Sequence, residues 1–316
     1  MLLPTPRHSL ARDGVRPALK APLAATLARC CLLLASLLFP ATASADSSVP
    51  RLATVDWTIA ETLMSLGVEP VAVGQVAEYQ AWVEQPALPD TVVDIGLRAQ
   101  PNRELVASLD LDRFLLSPLF AALEPTLSRI LPVTTLSIYE PEGDLWQNLV
   151  TATREVADVA GVPARADQVI KAHRERIEHV RNRLPDAVPE LLVVQFIDDR
   201  HVRVYGPGSV YDMVLERLGL DNAWRGGTNL WGYATAGLEE LTTTGYLVVV
   251  DPMPMGVGDH LTSNRLWQSL PSVKAGQVLH LPAVWSFGGL PSAARFAEEL
   301  GESLATSGSR PGATDS

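Results

Sequence analysis

One arginine of the sequence lies in a short loop from which it could bind an anion. Arg98 falls within Asp94–Asn102, between a predicted strand and a helix predicted over Arg103–Leu109. Asn102 suits the N-cap of that helix, because its side-chain oxygen can accept an otherwise unpaired backbone N–H. A guanidinium is permanently charged and carries several donors in fixed directions, which suits an anionic or oxygen-rich ligand. We predict that Arg98 points into a ligand cleft; the alternative is an exposed arginine in a turn.

Two tryptophans in loops could form the wall of such a cleft. Trp231 lies in Thr228–Gly232 and Trp285 lies in Leu281–Gly289, each before a predicted helical segment. Aromatic side chains give rigid apolar contact area, and open α/β sheets bind ligands in the loops at the carboxyl ends of their strands. The alternative for both tryptophans is core packing.

No sequence motif indicates a reaction. The chain contains no G-x-S-x-G, no Walker A and no G-x-G-x-x-G motif. Gly206–Ser209 could be read as a phosphate-binding loop, but it predicts a tight turn in which Ser209 caps the next helix. The histidines after residue 45 lack the close or i,i+4 spacing of a metal site. We therefore expect neither catalytic residues nor a protein-held metal ion.

The first 45 residues have the pattern of a secretory signal peptide. A basic region precedes the apolar run Cys30–Phe39, and an A-x-A sequence ends at Ala45. The apolar run is about half of the roughly 20 residues that span a bilayer. We predict cleavage near Ala45–Asp46; the alternative is an uncleaved membrane anchor. Cleavage would remove Cys30 and Cys31, the two cysteines of the chain, so the exported protein would have no disulfide or thiol chemistry.

The exported chain is strongly acidic. The whole sequence has 25 basic and 36 acidic residues, a net charge of −11. Without the five basic residues and one acid of the signal peptide these numbers become 20 and 35, a net charge of −15. Such a protein repels phosphate backbones, so we expect no nucleic acid partner.

The order of predicted elements indicates an α/β protein with two lobes. Short apolar strands alternate with helices from Arg51 to Leu136, which is typical of a mainly parallel sheet with flanking helices. Two successive helical stretches follow, the second of them long and charged, and the alternation then resumes at Leu191 with a hairpin predicted at Asp198–Arg200. The predicted organisation is a signal peptide at 1–45, an N-terminal lobe at 46–163, a connecting long helix at 164–187, a C-terminal lobe at 188–304 and a disordered tail at 305–316.

Several motifs in both lobes resemble the periplasmic ferric hydroxamate siderophore-binding proteins of ABC importers. The matching segments are 86–98, 101–102, 221–224, 228–232 and 282–285. The resemblance implies two α/β lobes joined by one long helix, with little hinge motion and a shallow aromatic cleft between them. It also implies that Arg98 donates hydrogen bonds to iron-bound hydroxamate oxygens, and that Trp231 and Trp285 line the cleft.

The sequence departs from the family pattern at two cleft positions. The family has a tyrosine after the fourth strand, where Phe120 is the nearest aromatic residue, and another two residues after the last tryptophan, where Phe287 stands. Each lost hydroxyl removes a hydrogen bond worth about 0.5–1.5 kcal/mol net. We therefore expect Phe120 and Phe287 to make the cleft more apolar. Arg98 is the one evident cation, which favours a near-neutral hydroxamate chelate over a catecholate.

The resemblance also implies partners. The expected protein is a monomer and not an enzyme; it captures a ferric siderophore in the periplasm and delivers it to an inner-membrane ABC permease with its ATPase. Iron would enter only inside the siderophore, with no intrinsic cofactor. Glu124, and Glu239 or Glu240, are candidates for docking to the permease; each could instead be an ordinary acid at a helix start. The cargo could instead be a corrinoid, haem or a catecholate siderophore, or the protein could be a siderophore-processing enzyme.

Overall fold

The computed structural model of the chain describes residues 49–138 and 143–308. The predicted signal peptide at 1–45 and residues 309–316 of the predicted tail lie outside the described residues. Within the described ranges, no helix is both long enough and apolar enough to cross a membrane.

The N-terminal lobe is built on a parallel sheet. Its strands are β1 (Leu52–Thr54), β2 (Ala72–Val73), β3 (Val93–Asp94), β4 (Gly96–Leu97), β5 (Gln100–Pro101), β6 (Arg113–Leu116) and β7 (Val133–Thr135). Its helices are α1 (Trp57–Ser65), α2 (Val76–Trp82), α3 (Arg103–Ser108), α4 (Glu124–Leu127) and α5 (Leu145–Val159), with a 3₁₀ helix at Pro118–Leu123. Five strands pair in parallel in the order β3-β2-β1-β6-β7, while β4 and β5 form a separate antiparallel hairpin.

The C-terminal lobe contains a mixed sheet in the order β10-β9-β8-β11-β12. Its strands are β8 (Leu191–Phe196), β9 (His201–Tyr205), β10 (Tyr233–Gly237), β11 (Tyr246–Val250) and β12 (Val278–Leu281). β8, β11 and β12 are parallel, whereas β9 pairs antiparallel with both β8 and β10. The predicted hairpin is confirmed, because Asp198 accepts hydrogen bonds from the backbone N–H groups of Arg200 and His201 at 2.8 Å each and so closes the turn between β8 and β9.

One long helix, α6 (Pro163–Arg181), lies between the lobes along the chain. The remaining helices are α7 (Val210–Leu218), α8 (Val257–Ser263), α9 (Arg265–Ser269), α10 (Pro271–Lys274) and α11 (Leu290–Gly308), with a 3₁₀ helix at Leu238–Glu240. The predicted fold class is therefore confirmed in that two α/β lobes are joined by one long helix, although the C-terminal sheet is mixed, with two parallel and two antiparallel strand pairs.

Side-chain caps begin several of these helices as the sequence predicts. Asn102 Oδ1 accepts a hydrogen bond from the backbone N–H of Leu105 at 3.0 Å. Ser209 Oγ accepts one from the backbone N–H of Asp212 at 3.0 Å, so the glycine-rich turn before α7 is a capped helix start. A phosphate-binding role for that turn is not needed to explain its sequence.

Three segments differ from the prediction. The residues after Trp231 form strand β10 instead of leading into a helix; this strand has few bulky apolar residues and is held by its pairing with β9. The start of the tail at Ala305 is wrong, because α11 continues to Gly308. The charged residues of α6 predict a solvated face, yet His173 is buried and Arg176 forms an ion pair of 2.5 Å with Glu298 of α11. Burial lowers the pKa of His173 to about 4, which keeps it neutral at pH 7.

One apolar core is continuous behind both sheets. Leu52 and Leu115 of the first sheet and Val193 and Val248 of the second belong to the same buried cluster, which five helices complete. Close packing of this kind resists relative displacement of its parts. The two lobes therefore share a core, which favours a fixed cleft.

Candidate ligand cleft

A cleft of about 270 Å³ opens between the two lobes. The N-terminal lobe contributes its lining residues Asp56, Thr58, Arg98, Ser117, Pro118 and Leu119. The C-terminal lobe contributes Arg203, Trp231, Tyr233, Trp285 and Phe287. Four residues proposed from the sequence, namely Arg98, Trp231, Trp285 and Phe287, are thus brought to one place from distant parts of the chain.

The backbone around Arg98 fixes its position at the tip of the β4–β5 hairpin. The strand register leaves Arg98 and Ala99 as a two-residue turn. Asp94 accepts hydrogen bonds from the backbone N–H groups of Gly96 at 2.8 Å and Val76 at 3.0 Å, which ties the hairpin to the start of α2. Gly96 has a φ of +84°, a conformation that favours glycine.

The Arg98 side chain is oriented by contacts that leave its terminal nitrogens available. Its Nε donates a hydrogen bond to the Val55 carbonyl at 2.8 Å. Its guanidinium carbon lies 4.1 Å from the centre of the Trp57 ring and 5.6 Å from that of Trp285. Among the described residues, no group accepts a hydrogen bond from either terminal nitrogen of Arg98. These nitrogens can therefore donate to a ligand.

The charge of Arg98 is poorly solvated. Burial lowers the pKa of its guanidinium from the ordinary value, and the nearby Asp56 carboxylate opposes that shift. Arginine nevertheless stays protonated in proteins. Asp56 is itself engaged: Oδ1 accepts from the backbone N–H of Thr58 at 2.8 Å, and Oδ2 accepts from the Ser117 hydroxyl at 2.5 Å. A partly desolvated cation without a direct ion pair gains from an anionic ligand, because electrostatic attraction is stronger away from water.

Aromatic rings in edge contact form the floor and one wall of the cleft. The ring centres of Trp57 and Trp285 are 4.9 Å apart, those of Trp285 and Phe287 are 5.2 Å apart, and those of Phe287 and Trp231 are 5.9 Å apart. Trp231 is half-buried, whereas Trp285 is only 8% exposed and also belongs to a buried cluster with Trp57 and Tyr79. Trp285 thus combines the two roles that the sequence left open, core packing and cleft lining.

Phe120 occupies a different position from the one expected. Its ring centre is 4.9 Å from the Arg98 guanidinium carbon, and the ring packs on the core of the N-terminal lobe. It is not among the residues that line the cleft; Pro118 and Leu119 of the same 3₁₀ helix take that place. The 3₁₀ turn explains this exchange, since it rotates neighbouring side chains to different sides.

Among the cleft residues that were not anticipated from the sequence are Arg203 and Tyr233 of the C-terminal lobe. Both are half-buried, and the Arg203 guanidinium carbon lies 5.5 Å from the centre of the Tyr233 ring. Alternation along β9, with Val202 and Val204 on the buried face, was the signal that could have placed Arg203 on the other face. The expectation of a single cation in the cleft is therefore wrong, because a second arginine lines it together with a phenol.

Hydrogen bonds between the lobes close the bottom of the cleft. The Trp285 Nε1–H donates to the Thr58 hydroxyl at 3.1 Å, and that hydroxyl donates to the Phe287 carbonyl at 2.7 Å. Glu61 is fully buried in α1; it accepts from the Gly289 backbone N–H and, at 2.5 Å, from the Ser292 hydroxyl. Burial raises the pKa of Glu61 to about 8, the Ser292 and Gly289 bonds oppose that rise, and the Asp56 charge adds to it.

The acids proposed for permease docking are exposed. Glu124 begins α4, and its carboxylate accepts a hydrogen bond from the Thr135 hydroxyl at 2.9 Å. Glu239 lies in the 3₁₀ helix after β10, and its neighbour Glu240 accepts from the Gly237 backbone N–H at 2.9 Å. Of the two acids proposed in the C-terminal lobe, Glu239 is therefore the one without a capping role.

The described part of the chain contains no group of three or more His, Cys, Asp or Glu side chains that could hold a metal ion. The donor set of the cleft is of another kind: arginines, hydroxyls and aromatic rings. Such a set suits a ligand that brings its own oxygen atoms.

The two-lobed fold with a cleft between the lobes is that of a substrate-binding protein. The sequence matches the periplasmic binding protein family over residues 52–284, and the chain belongs to this family.

Three similar proteins show which members of this family the chain resembles. The chain is 31% identical, over 257 residues, to the iron(3+)-hydroxamate-binding protein FhuD of Escherichia coli, covering 80% of this chain and 86% of that protein. It is 27% identical to the achromobactin-binding periplasmic protein of Dickeya dadantii, covering 79% and 84%. The crystal structure of the siderophore-binding protein FhuD of Vibrio cholerae with bound Fe³⁺–Desferal superposes with a TM-score of 0.75 at 30% identity, covering 81% of this chain and 98% of that one.

Proposed function

We propose that this protein captures a ferric hydroxamate siderophore in the periplasm and delivers it to an inner-membrane ABC importer. The observation that carries this proposal is the position of the Arg98 guanidinium and its unused hydrogen-bond donors. Its guanidinium is held over an aromatic floor between two lobes, with both terminal nitrogens directed to no acceptor in the described chain. The identity of about one third to FhuD supports the hydroxamate class.

The geometry suits a metal chelate whose surface is part oxygen and part hydrocarbon. Hydroxamate oxygens bound to iron carry partial negative charge, and Arg98 can donate to more than one of them. Trp231, Trp285 and Phe287 offer apolar faces to the hydrocarbon arms of the chelate. Iron enters and leaves inside the siderophore and is cargo, so the protein needs no cofactor of its own.

The protein acts by binding and not by catalysis. Arg98 cannot exchange a proton near neutral pH, and it therefore serves as a hydrogen-bond donor. The bonds from Trp285 to Thr58 and from Gly289 to Glu61 hold the lobes together behind the site. A cleft that is already formed loses little conformational entropy when the ligand binds.

Delivery requires a surface that the permease can recognise. Glu124 and Glu239 are exposed acids, one on each lobe, and we propose that they pair with basic residues of the permease, whose ATPase then drives import. The protein acts as a monomer, exported after cleavage near Ala45–Asp46.

The direct test is a titration followed by tryptophan fluorescence. We expect saturable quenching with the neutral ferric trihydroxamate ferrichrome and a rise in melting temperature, because the ligand binds only the native state. Iron-free ferrichrome should bind more weakly, since its oxygens are not preorganised. A ferric tris-catecholate, haem and a corrinoid serve as competing cargo classes. Tight binding of one of these with no response to any ferric hydroxamate would overturn the proposal, and so would conversion of the bound siderophore to a product seen by mass spectrometry.

A further inference from the structure

Arg203 places a second cation in the cleft, on the lobe that does not carry Arg98. It projects from β9 of the C-terminal lobe, whereas Arg98 comes from the N-terminal lobe, and both line the same space. The guanidinium lies against the face of Tyr233, with 5.5 Å between its central carbon and the ring centre. A guanidinium carries its N–H donors in one plane, where they can meet a planar carboxylate in a bidentate pair.

The residues that line the cleft carry more positive than negative formal charge. Two arginines, Arg98 and Arg203, and one aspartate, Asp56, line it, which gives the lining a formal charge of +1 in a chain whose formal net charge is −11. Asp56 is only 5% exposed and is committed to Thr58 and Ser117 by hydrogen bonds. Among the described residues, no acid forms an ion pair with Arg203. Other arginines do have a carboxylate partner; Arg176 pairs with Glu298 and Arg295 pairs with Glu84.

Arg203 also has no packing role that requires its charge. The buried residues of β9 are Val202 and Val204 on one face and Tyr205 on the other, and the Tyr205 hydroxyl already donates to Gln195 at 2.9 Å. Burial raises the pKa of Tyr205 to about 12, and the Ser286 hydroxyl, the charge of Arg203 and a hydrogen bond with Arg203 oppose that rise, so the guanidinium meets a neutral hydroxyl there and no carboxylate. A half-buried arginine near an aromatic ring, with no carboxylate partner in the described part of the chain, is suited to bind an anion.

We infer that Arg203 is a specificity-determining residue that binds an anionic group of the cargo, a carboxylate that the ferric chelate carries besides its hydroxamates. This inference rests on the proposed function. Arg98 would meet the chelate oxygens from one side of the cleft, and Arg203 would meet the carboxylate from the other. The preferred cargo is then a negatively charged ferric hydroxamate instead of a neutral one.

The experiment compares two ferric probes on four proteins. The probes are ferrichrome, which is neutral, and a citrate dihydroxamate whose ferric complex keeps uncoordinated carboxylates. The proteins are wild type, Arg203→Gln, Arg203→Lys and the matched control Arg200→Gln. Arg200 lies in the turn before β9 and outside the cleft, and its removal changes the net charge equally. Fluorescence titration gives each Kd, and circular dichroism with thermal melting checks that the variants are folded.

We expect Arg203→Gln to weaken binding of the citrate complex by about 10-fold or more and that of ferrichrome by less than about 3-fold, as loss of one charge-assisted hydrogen-bonding partner predicts. Arg203→Lys should retain only part of the preference, because lysine keeps the charge but not the planar fork of donors, and Arg200→Gln should leave both affinities unchanged. Affinity of the wild type for the citrate complex should fall as salt rises from 0.05 to 0.5 M sodium chloride, roughly within the range where screening becomes strong. This last measurement does not depend on a folded variant.

Other outcomes contradict the inference or the proposed function, as follows. Equal weakening of both complexes in Arg203→Gln, or no weakening, overturns the inference, as does a wild-type affinity for the citrate complex that is independent of salt. Wild type that binds ferrichrome but not the citrate complex overturns the inference and leaves the proposed function standing. Wild type that binds neither complex overturns the proposed function and the inference with it.

Discussion

The indole N–H of Trp285 donates a hydrogen bond to the hydroxyl of Thr58, 3.1 Å away, across the boundary between the two lobes. These residues are separated by 227 positions in the sequence, and both line the cleft. The same hydroxyl donates to the Phe287 carbonyl at 2.7 Å. One side chain of α1 therefore helps to orient the aromatic wall that belongs to the other lobe, so this contact links the arrangement of the lobes to ligand binding.

Thr58→Val should lower both stability and affinity. The substitution keeps the shape but removes the hydroxyl, which leaves the buried Trp285 N–H and the Phe287 carbonyl without this partner; an unsatisfied buried group costs about 1–3 kcal/mol. Urea unfolding measures the loss of stability. Siderophore titration measures the loss of affinity that is expected when the aromatic wall is displaced.

Thr62→Val is the matched control for that substitution. Thr62 is buried on the same helix, but its hydroxyl donates only to the Thr58 carbonyl within the helix, at 2.7 Å. We expect a smaller loss of stability and no loss of affinity. If both variants bind siderophore as wild type does, the contact between Trp285 and Thr58 has no part in shaping the cleft.

Arg98→Lys should weaken binding of ferrichrome about 10-fold or more, even though the charge is kept. Lysine cannot reproduce the fork of donors, the bond from Nε to the Val55 carbonyl or the stacking on Trp57. Arg103→Lys, an exposed position on the neighbouring helix, is the control and should bind as wild type does. Equal affinity in the Arg98 variant and in wild type would remove this residue from the site.

Glu61→Gln should change how stability depends on pH. The folded-state pKa of Glu61 is raised to about 8 by burial, above its ordinary value in the unfolded chain. The folded state therefore binds more protons between these two values, and the Glu61 contribution to the free energy of unfolding falls as pH rises through that window, by up to about 1.4 kcal/mol per pH unit. Glutamine can accept from Gly289 and donate to Ser292 at every pH, so the variant should lose this decline.

The measurement is urea unfolding from pH 4.5 to 8.5. His173, whose folded pKa is lowered to about 4, contributes with the opposite sign, since stability rises with pH from that value up to its ordinary one. Glu61→Gln should therefore become more stable than wild type above neutral pH, while the exposed control Glu78→Gln should follow wild type. Parallel curves for Glu61→Gln and wild type would show that Glu61 is not held protonated.

Glu124→Arg and Glu239→Arg should impair delivery without impairing capture. If these exposed acids pair with the permease, reversing their charge adds repulsion at the docking surface, whereas the cleft stays as it is. We expect unchanged siderophore Kd values and a loss of stimulated ATP hydrolysis with the importer in proteoliposomes. Glu69→Arg, an exposed position just before the amino end of β2, is the control. Full stimulation by the double variant would exclude these two acids as docking residues.

Local sequence patterns were sufficient to predict much of the fold of this protein. Alternating strands and helices predicted the two α/β lobes, because hydrophobic period and chain order largely fix which elements can pack. The caps at Asn102 and Ser209 and the hairpin at Asp198–Arg200 also follow from the sequence, because each depends on residues a few positions apart. The loop around Arg98 belongs to the same group, since its turn is set by the local register of β4 and β5.

Only the tertiary structure decided which side chains meet. Arg203 comes from a strand whose sequence gives no sign of a binding role, and Tyr233 comes from a segment that was not predicted to be a strand. Their place in the cleft depends on the pairing between β9 and β10 and on the position of the other lobe. His173 sits among charged neighbours in the sequence, yet α11 covers it. The bonds of Glu61 join residues 228 and 231 positions apart, and no local pattern encodes a contact of that range. The sequence determines the elements and the loop that presents Arg98, whereas long-range packing determines the charge of the cleft and the contacts that hold it in shape.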